Sequence, residues 1–239
     1  MKVIIDTPER IAAMAAERYV TLLNKKPNAI LGLATGSTPL GLYAKLVSLY
    51  EEGKISFDKV TSFNLDEYVG LDGTHDQSYR YFMNTNLFDK VNIRKEYTFV
   101  PSGLGDVDEN AKQYEKMIAA AGGVDLQLLG LGQNGHIGFN EPGTPLDSVT
   151  HKIELTENTR EANARFFASM NDVPTHAVSM GIKTVMHARS IILIALGENK
   201  ADAVAKSVNG KIDTAVPASV LQLHPDVTFY VDAAAASKL

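Results

Sequence analysis

The order of apolar runs and helical periods in this 239-residue chain predicts an α/β fold, a single doubly wound, mostly parallel sheet with helices on both faces. Two observations carry that expectation. The strand-like runs, such as Ile191-Ile-Leu-Ile-Ala-Leu196, are apolar on both faces rather than alternating, as in parallel strands covered on both sides. Segments with helical spacing separate them almost throughout, the pattern of crossover connections.

Taken in order, residues 3–5 read as a first strand, and a helix follows from Thr7-Pro8-Glu9. Thr7 can cap it and Pro8 suits its first turn. Ile11, Met14, Ala15, Tyr19 and Leu22 then recur on one helical face. Residues 29–34 and 60–65 are strands, with a helix over 39–50 between them. An Asp/Gly-rich loop leads to a helix near 77–88, a short strand at 97–100, a helix over 108–121 and a strand over 124–129. Beyond a glycine-rich loop come a polar helix near 158–168, the strand over 191–196, a helix over 198–208 and a last strand over 227–231. No linker or repeat interrupts the chain, so one domain is expected over 1–239, with the polar stretch 142–176 as a flap over an active site.

Composition removes several classes of function. There is no cysteine, which excludes disulfides, thiolate metal sites and thiol nucleophiles, and fits a cytoplasmic protein. The net charge of −5 and the lack of a Lys/Arg stripe argue against nucleic acid as a partner. No apolar tract is long enough to span a membrane, and the first residues lack a signal-peptide core.

Ligands of open parallel sheets bind beyond the carboxyl ends of the strands, and four chemically unusual segments fall at such ends. Gly130-Leu-Gly-Gln-Asn-Gly-His-Ile-Gly-Phe-Asn-Glu141 is the most informative. Its Gly130-x-Gly132-x-x-Gly135 spacing matches a dinucleotide fingerprint, but that motif needs a helix to begin within it. Gly138, Pro142 and Gly143 forbid one, so the glycines read instead as backbone clearance around a small ligand. His136 can be a structural histidine, a metal ligand or a general acid/base; one His and one Glu is poor metal spacing. Held by Glu141, its imidazole suits moving a hydroxyl proton.

Thr35-Gly-Ser-Thr-Pro39 reads equally as an N-cap and as a phosphate cradle at a helix start. No Walker lysine follows, so it is not a nucleotide loop. Asp66 and Glu67 end a strand on opposite faces, so one of them can enter the site as a base, or both can be a solvated or capping pair. Lys200 opens a helix whose dipole it opposes. A bound anion explains that, as does simple solvation. Arg160 and Arg165 on the polar helix can add a guanidinium to the same anion, and Phe166 and Phe167 are expected to anchor that helix. The other histidines sit in structural or solvated contexts.

Read together, Thr35-Gly-Ser-Thr-Pro39, Phe63-Asn-Leu-Asp-Glu-Tyr-Val-Gly70, Gly132 to Pro142, Thr159-Arg-Glu-Ala-Asn-Ala-Arg-Phe-Phe167 and Leu221-Gln-Leu-His-Pro225 closely resemble the glucosamine-6-phosphate deaminase family. The resemblance implies conversion of glucosamine 6-phosphate and water to fructose 6-phosphate and ammonia, a hydrolase reaction, with neither metal nor organic cofactor. It makes His136 the ring-opening acid/base, supported by Asn134 and Glu141, and Asp66 the base that moves the C2 proton. Thr35, Gly36, Ser37, Arg165 and Lys200 would hold the phosphate, and Gly130 would line the sugar.

Two departures bear on this. Some members carry aspartate where this chain has Asn134, so its ring-opening cluster has one negative charge fewer. Longer members are hexamers activated by N-acetylglucosamine 6-phosphate through basic residues after the catalytic loop. Here that stretch is Val149-Thr-His-Lys-Ile153 and the chain stops at Leu239, which implies an unregulated monomer. The rival readings are a 6-phosphogluconolactonase-type hydrolase, which has no use for a carboxylate at C2, and a non-catalytic sugar-phosphate sensor, which has no need of His136 or Asp66.

Overall fold

A computed structural model describes residues 1–164, 167 and 169–239. Its core is a sheet of seven strands: β1 (Lys2–Ile5), β2 (Ile30–Leu33), β3 (Thr61–Asn64), β5 (Thr98–Phe99), β6 (Leu126–Leu129), β9 (Ile191–Ala195) and β10 (Val227–Val231). They lie in the order β1-β10-β9-β6-β2-β3-β5, and every neighbouring pair is parallel. β2, β6, β9 and β10 are buried along their whole lengths, which is why they read as unbroken apolar runs rather than as alternating ones.

The helices follow from the order of crossovers. Right-handed connections carry α1 (Pro8–Lys25), α2 (Leu40–Glu51) and α3 (Tyr79–Asn86) over one face while the chain steps toward β5. They carry α4 (Val107–Ala121), α6 (Ile182–Met186) and α7 (Ala201–Asn209) over the other as it steps back toward β1. Thr7 caps α1, its hydroxyl accepting from Arg10 N at 3.4 Å, with Pro8 in the first turn. The buried stripe of α1 is Ile11, Ala15, Ala16, Tyr19 and Leu23. Met14 and Leu22, expected on that stripe, are only partly buried beside it. Reversal of direction occurs between β2 and β6. Their carboxyl-end loops therefore part to opposite faces and leave a crevice, where a doubly wound sheet binds its ligand.

A second sheet was not legible in the sequence. β4 (Asp66–Tyr68), β8 (His176–Ser179) and β7 (His151–Glu154) form an antiparallel sheet in the order β4-β8-β7. Asp66 pairs with Ser179, which pairs in turn with His151. β7 and the first residue of β8 fall within the stretch expected to be a polar flap, and α5 (Glu157–Ala164) lies between these two strands. A separate apolar cluster of Tyr68, Phe139, Leu155 and Ala177 supports it, with Tyr79, Ile153 and Phe167 against its edge. The ring of Phe167 meets that of Tyr68 edge-on at 5.8 Å; Phe166 lies outside the described residues.

Leu155→Ala leaves a cavity in the small cluster and is expected to cost about 2–5 kcal/mol. Hydrogen exchange should then rise first in β7 and β8, with the amides of β9 and β10 still protected. Equal loss of protection in both sheets would show that the small sheet is not a separate cooperative unit.

Candidate active site

Residues 130–141 follow β6 without entering a helix, and their backbone is fixed at several points. Asn140, wholly buried, donates from Nδ2 to Ile137 O and Met180 O, both at 2.8 Å. Phe139 N donates to Ser179 Oγ at 3.1 Å. Ala218 N donates to Gly135 O at 2.9 Å, and Gly143 N to Thr214 O at 2.9 Å. The strand end of β8 and the segment running from Thr214 into the 3-10 turn Pro217–Leu223 therefore brace the loop from two sides. Neither brace could be recognised from sequence spacing, because each joins residues far apart in the chain.

The glycines have a different task from the one expected. A Cβ on Gly132 would lie 2.5 Å from ring atoms of His136, and one on Gly135 would lie 2.6 Å from Val216 Cγ1. Gly135 also has φ +85°, which disfavours any side chain. Their clearance is thus for the imidazole and for Val216. Of the three fingerprint glycines, only Gly130 faces open space.

His136 Nδ1 lies 3.4 Å from Glu141 Oε2, a long, charge-dependent contact. Asn134 Nδ2 donates to the same oxygen at 2.6 Å, while Asn134 Oδ1 accepts from His136 N at 3.2 Å. The other oxygen, Oε1, accepts from the Thr159 hydroxyl on α5. Burial alone would raise the pKa of Glu141, but the His136 ring, Thr159 and Asn134 together outweigh it and hold the carboxyl at about 2. The carboxylate thus stays ionised next to the imidazole.

Asp66 and Glu67 separate as their alternation predicts. Glu67 accepts from Tyr68 N (2.8 Å), Tyr79 N (2.9 Å) and Arg80 N (3.0 Å). It serves as the counter-charge to the N-terminus of α3, where Ser78 caps Tyr81 N at 3.0 Å. Burial raises its pKa and those backbone donors pull it back. Asp66 is also buried, but among the described residues no donor reaches its carboxylate. Burial, with the charge of Glu67 behind it, raises its pKa from 3.8 to about 8. Its Oδ2 borders Gly138 of the glycine-rich loop, 3.5 Å from where a Cβ would stand.

The other rim residues are placed as follows. Thr35, Gly36 (φ +92°) and Ser37 connect β2 to α2. Pro39 is the helix cap and no side chain caps α2, so the hydroxyls of Ser37 and Thr38 are not spent on that task. Lys200 ends a 3-10 turn at the start of α7, after a loop whose Gly197 N is held by both carboxylate oxygens of Asp232 at 3.0 Å. Arg160 is turned to another use, donating from Nη2 to Met170 O (3.2 Å) and Val173 O (3.3 Å). Arg165 lies outside the described residues. His224 is structural, its Nε2 bonded to Ala188 O at 2.8 Å and its Nδ1 accepting from Asp226 N at 3.1 Å. Among the described residues no group of His, Asp and Glu is arranged to hold a metal ion, and no helix is long and apolar enough to cross a membrane.

Residues 6–229 match the model of the glucosamine-6-phosphate isomerases/6-phosphogluconolactonase family. The chain belongs to the glucosamine-6-phosphate deaminase family. A deaminase of that name from Clostridium perfringens (strain 13 / Type A) is 54% identical over 97% of this chain and 96% of its own. One from Thermoanaerobacter pseudethanolicus is 50% identical over 99% and 94%. The solved structure of a monomeric glucosamine-6-phosphate deaminase superposes with a TM-score of 0.98 at 43% identity, covering 100% of both chains. A 6-phosphogluconolactonase from Trypanosoma cruzi, at 21% identity and a TM-score of 0.79 over 100% and 96%, shares the fold.

Two predictions follow from the geometry. Gly132→Ala should push the imidazole aside and lower kcat on the order of 100-fold, the scale of a 1 Å misplacement, with little change in Tm; near-normal kcat would contradict the close contact. Asp66→Asn should stabilise the protein at neutral pH. The folded pKa of Asp66 is raised above its unfolded value, so its contribution is complete below about pH 3.8 and is lost as pH rises toward 8. The gain from asparagine, read from denaturant midpoints, should therefore grow from pH 4 to pH 8, and a gain independent of pH would refute it.

Proposed function

We propose that this enzyme converts glucosamine 6-phosphate and water to fructose 6-phosphate and ammonia. The observation that carries the reading is two unlike acid/base groups against one loop: a buried, uncompensated Asp66, whose Oδ2 borders Gly138, and the His136 imidazole beside an ionised Glu141. A lactonase needs a base for water and has no task for the first. A sensor has no task for either. The family membership supports the same choice.

In this reading Thr35, Gly36, Ser37, Lys200 and Arg165 hold the phosphate, and Gly130 leaves room for the sugar. His136, oriented by Glu141 and Asn134, moves the proton between O1 and O5 that opens the pyranose ring. Asp66 removes the C2 proton beside the new C1 aldehyde and returns it to C1, an aldose–ketose shift through an enolamine. The resulting C2 imine takes up water and releases ammonia, so the isomerisation ends in a hydrolytic deamination. A base with its pKa raised toward the working pH is a stronger proton acceptor than an ordinary carboxylate. No metal or organic cofactor enters these steps, and the enzyme acts as a monomer without an activator.

Incubation with glucosamine 6-phosphate should yield ammonia and fructose 6-phosphate in equal amounts, with hyperbolic saturation that N-acetylglucosamine 6-phosphate does not sharpen. Asp66→Asn should abolish exchange of the C2 hydrogen with solvent while phosphate-dependent binding persists. In the parent enzyme kcat/KM should rise with pH as Asp66 ionises near 8. Folded protein that releases no ammonia would end the proposal, and exchange retained in Asp66→Asn would remove Asp66 as the base.

A further inference from the structure

Thr159 lies on α5, outside the catalytic loop, yet its hydroxyl donates to Glu141 Oε1. It is a buried residue, and its position is set locally. Thr156, just before α5, donates its hydroxyl to Thr159 Oγ1 at 3.1 Å, and Thr156 Oγ1 accepts from Thr159 N at 3.3 Å. The two hydroxyls form a chain, Thr156 to Thr159 to Glu141, in which each donates forward. Thr159 Oγ1 accepts from Thr156 and gives its own single proton to the carboxylate.

The two oxygens of Glu141 are divided between two elements. Oε2 faces His136 and Asn134 of the loop, whereas Oε1 faces α5. A carboxylate held at one oxygen only can rotate about its last torsion, which is broad and two-fold. Held at both, it keeps Oε2 toward the imidazole. We propose that Thr159 is a positioning residue for ring opening: it locks the Glu141 carboxylate and, through it, the tautomer and tilt of His136. A carboxylate 3.4 Å from Nδ1 favours the tautomer with the proton there, which leaves Nε2 free to accept, and loss of the lock lets the other tautomer populate. α5 leaves the small sheet that also carries Asp66, so the fold sets both acid/base groups from one sub-structure. The inference rests on the deaminase reading for its kinetic arm but not for its spectroscopic one.

The test compares Thr159→Val, which keeps the shape and loses the hydroxyl, with Thr159→Ser, which keeps the hydroxyl. Thr159→Val should lower kcat about 10-fold, the low end of what loss of an orienting hydrogen bond costs elsewhere, with KM for glucosamine 6-phosphate within about two-fold, because the phosphate contacts are untouched. Thr159→Ser should recover most of the loss. Long-range 1H–15N spectra of the free protein at alkaline pH should show His136 chiefly as the Nδ1–H tautomer in the parent and in Thr159→Ser, and as a mixture in Thr159→Val. If Thr159→Val does not fold, Thr159→Ala replaces it in both readouts. A valine variant with parental kcat, a serine variant as slow as the valine one, or an unchanged tautomer ratio would overturn the proposal. A parent enzyme with no deaminase activity but the expected tautomer change would instead count against the function and leave the positioning role standing.

Discussion

A carboxylate taken out of water must be met by donors or give up its charge, and at Glu141 the donors come from parts of the chain distant in sequence. Asn134 and His136 approach from its own loop and Thr159 from α5. Satisfying that one anion therefore fixes how the loop after β6 meets the segment that emerges from the small antiparallel sheet. The same demand explains why the loop is so heavily braced at Asn140, Gly135 and Gly143. A loop free to move by an ångström would part the buried Glu141 from its donors and leave burial, which raises its pKa, unopposed. The rigidity of the imidazole's surroundings and the charge of its partner are two consequences of one constraint.

Asp66 and Glu67 show the opposite solution a short distance away. Glu67 is met by three backbone N–H groups, two of them the open donors at the start of α3, and so becomes part of the scaffold. Asp66 has nothing donated to it among the described residues, and its charge is suppressed instead. Glu67 adds to that suppression, being a like charge on the adjacent residue. A structural carboxylate thus raises the proton affinity of its neighbour. The cost is a buried, partly protonated group that destabilises the neutral-pH fold.

The central sheet was readable because its strands are apolar on both faces and its helices carry a clear period, as in Ile191–Ala195 and in the stripe of Ile11, Ala15 and Tyr19. The small sheet was not, because β4, β7 and β8 are short and carry Asp66, Glu67, His151, Lys152 and His176. Their strand character comes from pairing with each other, which no local window contains. At the site, residue types at strand ends identified His136, Glu141 and the pair Asp66 and Glu67 as candidates, and the choice of Asp66 within the pair came from the family resemblance. Thr159 escaped notice because a threonine three residues after another at a helix start reads as ordinary capping. The meaning of Gly132 also escaped it, since a glycine that clears a catalytic ring looks the same in sequence as one that clears a ligand.

Asn134 is where the structure alters the reading most. In sequence it counts as a missing negative charge, since an aspartate there would add one to the cluster. In three dimensions it is a donor: Nδ2 meets Glu141 Oε2 at 2.6 Å while Oδ1 takes the backbone N–H of His136 at 3.2 Å. The amide cannot be turned over, because that would set oxygen against oxygen on one side and nitrogen against N–H on the other. An aspartate could still accept from the backbone but would face Glu141 anion to anion at hydrogen-bond distance, which requires a shared proton or a shift of the loop. With asparagine the Glu141 carboxylate is stabilised whatever the protonation state of His136. The negative charge that orients the imidazole is then carried by one residue, and the other members of the cluster serve to keep it there.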